Sequence, residues 1–343
     1  MNKKRKEKKY IKFVKQILRN LKNLRIRRYS SKFSKKMYGN WTHIVLLALR
    51  QKFDKSYREI EDILDVCTEI LELLGIKEAP HFTTLRKSAE RLRVSFLEKV
   101  MSGFILLTMS LSIRTSIDAT GLQLTRASSY YTNVLKKNKK SHRKIKKHMK
   151  LSAFVDLDHQ LIISSKIRRG PAHDCLDFEP TVMKGKGVLD KAGKKAKSVD
   201  ADKGYDKEEN HRIVVEELQA EDRIRVKNKD VPIHRTKGEY RKKAKRRIKR
   251  LRANYRSKNE TIFSVLKRIQ GSAIRSVKVS MQNKEMVFKE IAYNAGRLIK
   301  FLFLVEDFYR AYFINHSISS CSKKASFSKF FITTLSFFTI ILR

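Results

Sequence analysis

Asp118, Asp202 and Glu260 are acids set in a strongly basic chain, and their neighbours suit them to work on a phosphate ester. Cleaving a phosphodiester needs an activated attacking oxygen and a stabilised leaving oxygen; two divalent cations about 4 Å apart supply both. Hard cations of this kind take oxygen ligands, usually two or more carboxylates. Asp118 follows an apolar strand in Ser116-Ile117-Asp118-Ala119-Thr120-Gly121, where Gly121 permits a bend or a close backbone approach. Asp202 ends a strand in Val199-Asp200-Ala201-Asp202-Lys203-Gly204-Tyr205-Asp206. Asp200 points to the same strand face, and only position separates the two. Asp202, at the carboxyl end beside Gly204, is better placed to meet a metal. Glu260 opens an amphipathic stretch whose apolar stripe is Ile262, Phe263, Leu266 and Ile269. Glu260, Ser264 and Lys267 fall at i, i+4 and i+7 on a neighbouring face, with Arg256 four residues before Glu260. That face would offer a carboxylate for a metal between two cations for phosphates. Taken singly, each acid reads as readily as a solvated loop acid, a helix N-cap or a member of an i,i+4 ion pair.

The elements that must position these residues follow from spacing and punctuation. Residues 1–36 form a basic arm with apolar residues at helical spacing (Ile11, Phe13, Val14, Ile17, Leu18, Leu21), able to fold on a polyanion or to stay solvated. Residues 37–110 read as helical. His43–Gln51 is a short apolar helix. Ser56 and Glu59 have capping-box spacing and start a second helix through Leu73, ended by Gly75. Pro80 marks a turn, and Thr83 or Thr84 caps a third helix towards Val100. Three helices with a turn before the third suit a helix-turn-helix-like DNA-binding module.

Over residues 111–305 the pattern changes. Strands are expected at Ile113–Thr125, Lys150–Asp156, Leu161–Arg168, Ala196–Asp202 and Ile224–Lys227, with a strand-like piece at Tyr130–Thr132. Helices are expected at His173–Met183, Lys207–Leu218, Asn259–Arg268 and Lys284–Val305, and Gly170-Pro171 breaks the chain. The predicted class is α/β: an RNase H-like mixed sheet with flanking helices, preceded by an all-helical N-terminal domain. Residues 306–343 form an apolar, aromatic tail whose stretch Phe327–Leu342 is shorter than the roughly 20 residues of a spanning helix, so a membrane anchor is the less favoured reading.

Lys and Arg number 79 against 34 acids, a formal net charge of +45. Self-repulsion of that size opposes compaction, and a polyanion is the usual reason for it: nucleic acid first, an anionic membrane surface second. Two basic runs, Lys136–Lys147 and Arg241–Arg252 (with Arg246, Arg247 and Lys249), flank the acids in sequence and suit phosphate contacts. Cys67, Cys175 and Cys321 are far apart with no CxxC pair, which argues against a disulfide framework or a thiolate zinc site and for reduced thiols in the cytosol. Met1–Lys9 is basic, with no apolar stretch behind it resembling a signal peptide.

These motifs resemble those of the DDE transposases of insertion sequences. Ile117-Asp118-Ala119-Thr120-Gly121 is similar to the first motif. Ala201-Asp202-Lys203-Gly204-Tyr205-Asp206 is similar to the second, an aspartate-lysine-glycine-tyrosine signature. Arg256, Glu260 and Lys267 keep the spacing of the third, Y-x2-R-x3-E-x6-K, although its tyrosine position is Ala253 and a tyrosine stands at Tyr255. His173-Asp174, Ser56-Tyr57-Arg58, Pro80 to Leu85 and Ala292-Tyr293-Asn294 also resemble the family, and the likeness runs from Tyr38 to Phe301. It implies an RNase H-like core with two Mg2+ or Mn2+ ions held by Asp118, Asp202 and Glu260. It further implies binding of terminal inverted repeats, strand cleavage and strand transfer into target DNA without a covalent enzyme–DNA intermediate. Arg256, Lys267, Lys203, Arg246, Arg247 and Lys249 would contact DNA. The expected partners are double-stranded DNA and a second copy of the chain, with no small-molecule cofactor, in the prokaryotic cytoplasm at the nucleoid. The alternatives are a different RNase H-like nuclease that resolves or degrades rather than transposes, a decayed transposase that binds without cutting, and a basic nucleic-acid-binding protein whose acids are structural.

Overall fold

Apolar spacing and caps account for the first third of the chain. Helix α1 (Lys9–Asn23) buries Phe13, Val14, Ile17 and Leu21 and leaves Lys15 and Lys22 outside, so these positions are covered by the protein itself. The computed structural model describes residues 7–29, 31–33, 35–125, 148–170, 172–227, 231–248 and 256–318, with side chains at all of these but 248, 256–258 and 302–318. Helix α2 (Asn40–Phe53) is buried from Ile44 to Gln51. Helix α3 (Tyr57–Asp65) begins on the expected capping box: Ser56 Oγ accepts from the Glu59 N–H, and the Glu59 carboxylate accepts from the Ser56 N–H.

Two expected helices are each split. The second continues after Cys67 as α4 (Thr68–Leu74), which ends at Gly75 with φ +67°. The third is α5 (Phe82–Arg91), capped by His81 rather than by a threonine, and α6 (Val94–Gly103). Leu92 and Arg93 are extended between them. That turn lets Leu85 and Ala89 on one helix and Leu97, Val100 and Met101 on the next all reach the interior. Packing here overrides local helix preference.

The sheet is mixed, as the element order predicts. β1 (Ser112–Leu124), β2 (His148–Asp156) and β3 (Leu161–Arg169) form an antiparallel meander. Helix α7 (Cys175–Lys191) carries the chain back to β4 (Lys195–Ala201), which lies parallel to β1 on its other side. Helix α8 (Glu208–Arg212) runs on as one π turn, Ile213–Glu217, into β5 (Glu221–Ile224), parallel to β4. The order is β3-β2-β1-β4-β5, with β6 (Ala273–Ile274) parallel to the far end of β1. Helices α9 (Glu239–Ile248), α10 (Arg256–Gln270) and α11 (Val279–Ile318) complete the described elements.

Some boundaries depart from the sequence expectation. α7 runs to Lys191 instead of stopping at Met183 before two glycines. A Cβ at Gly185 would stand 2.4 Å from the Phe154 ring, so this glycine brings the helix close against β2. β5 lies at Glu221–Ile224, not Ile224–Lys227; its inward positions are Asp222 and Ile224, and a buried acid hides the alternation. β6, two residues long, carries no sequence signal. The expected strand at Tyr130–Thr132, the basic loop Lys136–Lys147, Pro171 and the apolar stretch Phe327–Leu342 lie outside the described residues.

One sheet face holds the main core, where Ile113 and Ile117 meet Phe154, Phe178, Val182, Val199, Val214 and Ile224. α11 closes the β3 side. Asn294, fully buried, accepts from the Ile162 N–H (2.9 Å) and donates to the Ile162 and Met101 carbonyls (2.9 and 3.1 Å). It serves the β3 backbone where the β2–β3 register shifts. Internal packing divides the chain into residues 1–299, which hold every described strand, and residues 300–343, of which 300–318 are helical. Among the described residues no helix is long and apolar enough to cross a membrane.

Candidate active site

The sheet face opposite the main core carries the acids. β1 and β4 run in parallel register up to Ile117 opposite Ala201. Asp118 and Asp202 are the next residue on each chain segment, on adjacent strands that lie about 4.8 Å apart. β4 stops at Ala201, and β6 joins β1 only at Gln123, so among the described residues no strand lies beside Asp118 to Leu122 on that edge. Asp118 therefore stands at the mouth of a gap in the sheet.

Helix α10 covers that gap. Asp118, Ala119 and Thr120 share an open cleft of about 710 Å³ with Glu260, Phe263, Ser264, Lys267 and Arg268. The helical spacing explains the shared side: Glu260, Ser264 and Arg268 repeat every four residues, with Lys267 beside them. Asp118 is half-buried and Glu260 exposed, while Ile262 and Leu266 anchor the helix. The expectation that Glu260 and Lys267 share a face is met. Ser264, expected on that face too, is there with them, and Arg268 joins them; eight residues after Glu260, it was within reach of the same spacing argument.

Hydrogen bonds tie the acid-bearing elements together. Asn259, buried, donates from its side-chain amide to Ser116 Oγ, and Ser116 Oγ donates to the Asp200 carbonyl at 2.7 Å. Asn259 immediately precedes Glu260; Ser116 and Asp200 lie two residues before Asp118 and Asp202. One hydroxyl thus connects α10, β1 and β4. No sequence pattern announced it, because a serine inside a strand is otherwise unremarked. Asp200 itself stays within β4, half-buried, and burial pushes its carboxyl up to about 6.

The turn after β4 is held from two further sides. The Tyr205 N–H donates to the Asp202 carbonyl (3.0 Å) and the Asp206 N–H to the Lys203 carbonyl (3.2 Å). Cys175 Sγ at the start of α7 donates to the Gly204 carbonyl at 3.0 Å. A Cβ at Gly204 would come 3.2 Å from an Asp174 carboxylate oxygen, and Asp174 pairs with Lys150 at 2.7 Å. Tyr205 is buried against Phe178, their ring centroids 5.8 Å apart.

The cations divide into those at the site, those outside it and those turned inward. Lys267 lines the cleft, and Lys203 is exposed directly after Asp202. Arg246 and Arg247 are exposed on α9. Arg256 is in the first turn of α10; its side chain, Ala253, Tyr255 and Lys249 lie outside the described residues. The run Arg241–Arg252 is not uniformly available to phosphates. Arg241 is engaged by Asp206, and Lys245, buried, donates to the Val231 carbonyl.

A hard divalent cation fits these donors in kind, since Asp118 and Glu260 open to one polar cleft and Asp202 follows the residue paired beside Asp118 on the next strand. The three are not drawn into one tight ligand set. Among the described residues no three His, Cys, Asp or Glu side chains form a group that could hold a metal ion.

Comparison with protein families matches residues 110–295, more than half of the chain, to the transposase DDE domain. The chain belongs to the DDE transposase family. The matched span begins just before β1 and ends within α11, so it contains the whole sheet and the cleft. Membership brings transposition, DNA as partner and divalent metal ions as the family's usual helpers. Comparison with curated proteins finds no match.

Proposed function

We propose that this DDE transposase binds the terminal inverted repeats of an insertion sequence and cuts and joins DNA strands there, with Asp118, Asp202 and Glu260 as its acids. The single observation that carries the reading is the cleft in which Asp118 and Glu260 face each other's surroundings beside Lys267 and Arg268. Asp118, Asp202 and Glu260 would hold two Mg2+ or Mn2+ ions, which supply an activated attacking oxygen and charge neutralisation at the leaving oxygen. The chain's own residues do the rest. Lys267 and Arg268 hold the phosphate beside the scissile bond, and Arg256 and Lys203 extend that grip. Arg246, Arg247 and Lys249 contact the backbone further along the duplex, contributing affinity without reading sequence. The helical region 37–110 is the part suited to recognising the repeat, ahead of a catalytic region 111–305. Two element ends must be handled together, which favours a dimer in the working complex, acting in the cytoplasm at the nucleoid.

Strand transfer tests the reading. The purified protein is mixed with a labelled duplex carrying the DNA end that flanks its coding region and with a supercoiled plasmid, in Mg2+ or Mn2+. The proposal expects label joined to plasmid through a 3' end. Nicking without joining would indicate a nuclease of the same fold. Salt-sensitive binding with neither product would indicate a decayed transposase or a protein that only binds nucleic acid.

A further inference from the structure

Arg241 was expected to contact phosphate as part of a basic run, yet its charge is spent inside the protein. Its Nε donates to one oxygen of Asp206 at 2.6 Å and its Nη2 to the other at 2.8 Å, a paired fork on a carboxylate that is itself buried. Such two-point pairing fixes orientation as well as distance. Asp206 also accepts from the Lys227 N–H (2.7 Å) and meets His211 Nε2 at 3.2 Å. His211, fully buried, meets Asp222 through Nδ1 at 2.6 Å. Burial alone would lower the His211 pKa, but Asp206 and Asp222 outweigh it and push it up to about 9. Two buried carboxylates thus face the buried His211 ring and the partly buried Arg241 guanidinium.

Other groups pin the same helix. The Glu208 carboxylate accepts from the Tyr240 and Arg241 N–H groups (2.8 and 3.1 Å), the open amides of the first turn of α9. Gly238, with φ +90°, passes so close to Glu208 that a Cβ there would be 1.9 Å from a carboxylate oxygen. The Tyr240 hydroxyl donates to Glu216. Arg241, Ala244 and Lys245 form the inner side of α9, while Lys243, Arg246 and Arg247 are exposed on the outer side. Asp206 ends the turn that starts at Asp202, four residues earlier.

We propose that Arg241 and Asp206 are positioning residues: their clamp makes α9 a rigid strut that holds the Asp202 turn in place while the outer arginines of the same helix meet DNA phosphates. The inference rests on the transposase reading for its second half. The clamp transmits position and touches no reacting atom. Loss of the fork leaves phosphate affinity in the outer arginines but lets the Asp202 turn wander. A displacement on the order of 1 Å at reacting groups costs about a hundredfold in rate.

The test uses Arg241→Gln, Asp206→Asn, the double variant and Arg241→Lys in the full chain, with the end duplex as probe. Expected are wild-type Kd and salt slope, single-turnover nicking reduced about tenfold to a hundredfold in each single variant, no further loss in the double variant, and partial return in Arg241→Lys. Hydrogen exchange supplies a readout independent of cutting: the Tyr205 and Asp206 amides, bonded to Asp202 and Lys203, exchange faster in Arg241→Gln while β1 amides do not change. Where Arg241→Gln does not fold, Arg241→Lys carries the test, since it keeps the charge and loses the fork. A salt slope lowered by about 1 in Arg241→Gln, with unchanged exchange at Tyr205 and Asp206, makes Arg241 a phosphate contact and overturns the clamp. Unchanged nicking and unchanged exchange overturn it too. A wild-type protein that does not nick removes the transposase reading alone, and exchange still decides the clamp.

Discussion

Ser116→Ala removes one buried hydroxyl and, with it, the connection between the three acid-bearing elements. Two hydrogen bonds go: the one Ser116 donates to the Asp200 carbonyl and the one it accepts from Asn259. The Asn259 amide is then left buried without that acceptor, at a cost of about 1–3 kcal/mol. A domain typically has about 5–15 kcal/mol in hand, so the variant folds and its urea midpoint falls with an unchanged slope. Catalysis suffers more than stability. α10 loses the side-chain tie from Asn259 through Ser116 to β1, and Glu260 follows Asn259 directly. Freedom on the order of 1 Å between Glu260 and Asp118 lowers single-turnover nicking about a hundredfold. Binding of the end duplex does not change, because no phosphate contact is touched. A Ser116→Ala protein that is destabilised as calculated yet nicks at the wild-type rate would refute the reasoning that this hydroxyl registers the site.

The two glycines late in α7 should respond to alanine with opposite signs. Gly185→Ala puts a Cβ 2.4 and 2.9 Å from Phe154 ring carbons and should cost about 1–3 kcal/mol, whereas Gly187→Ala meets nothing within 4 Å and should gain up to about 1 kcal/mol from helix preference; equal shifts in urea midpoint would contradict this. Asn294→Ala leaves the Ile162 N–H and the Ile162 and Met101 carbonyls without that partner, so a loss of about 3 kcal/mol or more is expected, and less than about 1 kcal/mol would show the clip to be dispensable. His211 has a folded pKa raised from 6.5 to about 9. Its contribution is therefore fully present below about pH 6.5 and is lost as pH rises through about 9. Thermal midpoints should fall over that window in the wild type and fall less in His211→Gln; parallel pH curves would remove the effect.

The sequence made the positions of the acids legible because strands and helices announce themselves by period. Asp118 was readable behind an apolar strand and Asp202 as the end of one, and Glu260 with Lys267 as one helix face; that the two aspartates fall on adjacent strands came from the fold. The Ser56–Glu59 cap and the Gly75 stop were readable for the same local reason. What stayed hidden depends on partners distant in sequence. Asn259 finds Ser116 across 143 residues, and Arg241 finds Asp206 across 35. A run of arginines and lysines looks uniform until a fold turns Arg241 and Lys245 inward and leaves Arg246 and Arg247 outside. The length of α7 was misjudged because Gly185 reads as a helix breaker, while in place it is the residue that lets the helix touch β2. The splits at Cys67 and at Leu92-Arg93 come from tertiary packing, which leaves no local mark.

Metal-dependent nicking of the end duplex decides whether Asp118, Asp202 and Glu260 are the acids of the site. Wild type, Asp118→Ala, Asp202→Ala and Glu260→Ala are compared with and without Mg2+ or Mn2+, and duplex binding is measured alongside. Expected is nicking at the element end that requires the metal and is lost in all three variants while binding persists. Metal-dependent nicking that survives removal of any one of these carboxylates would contradict it.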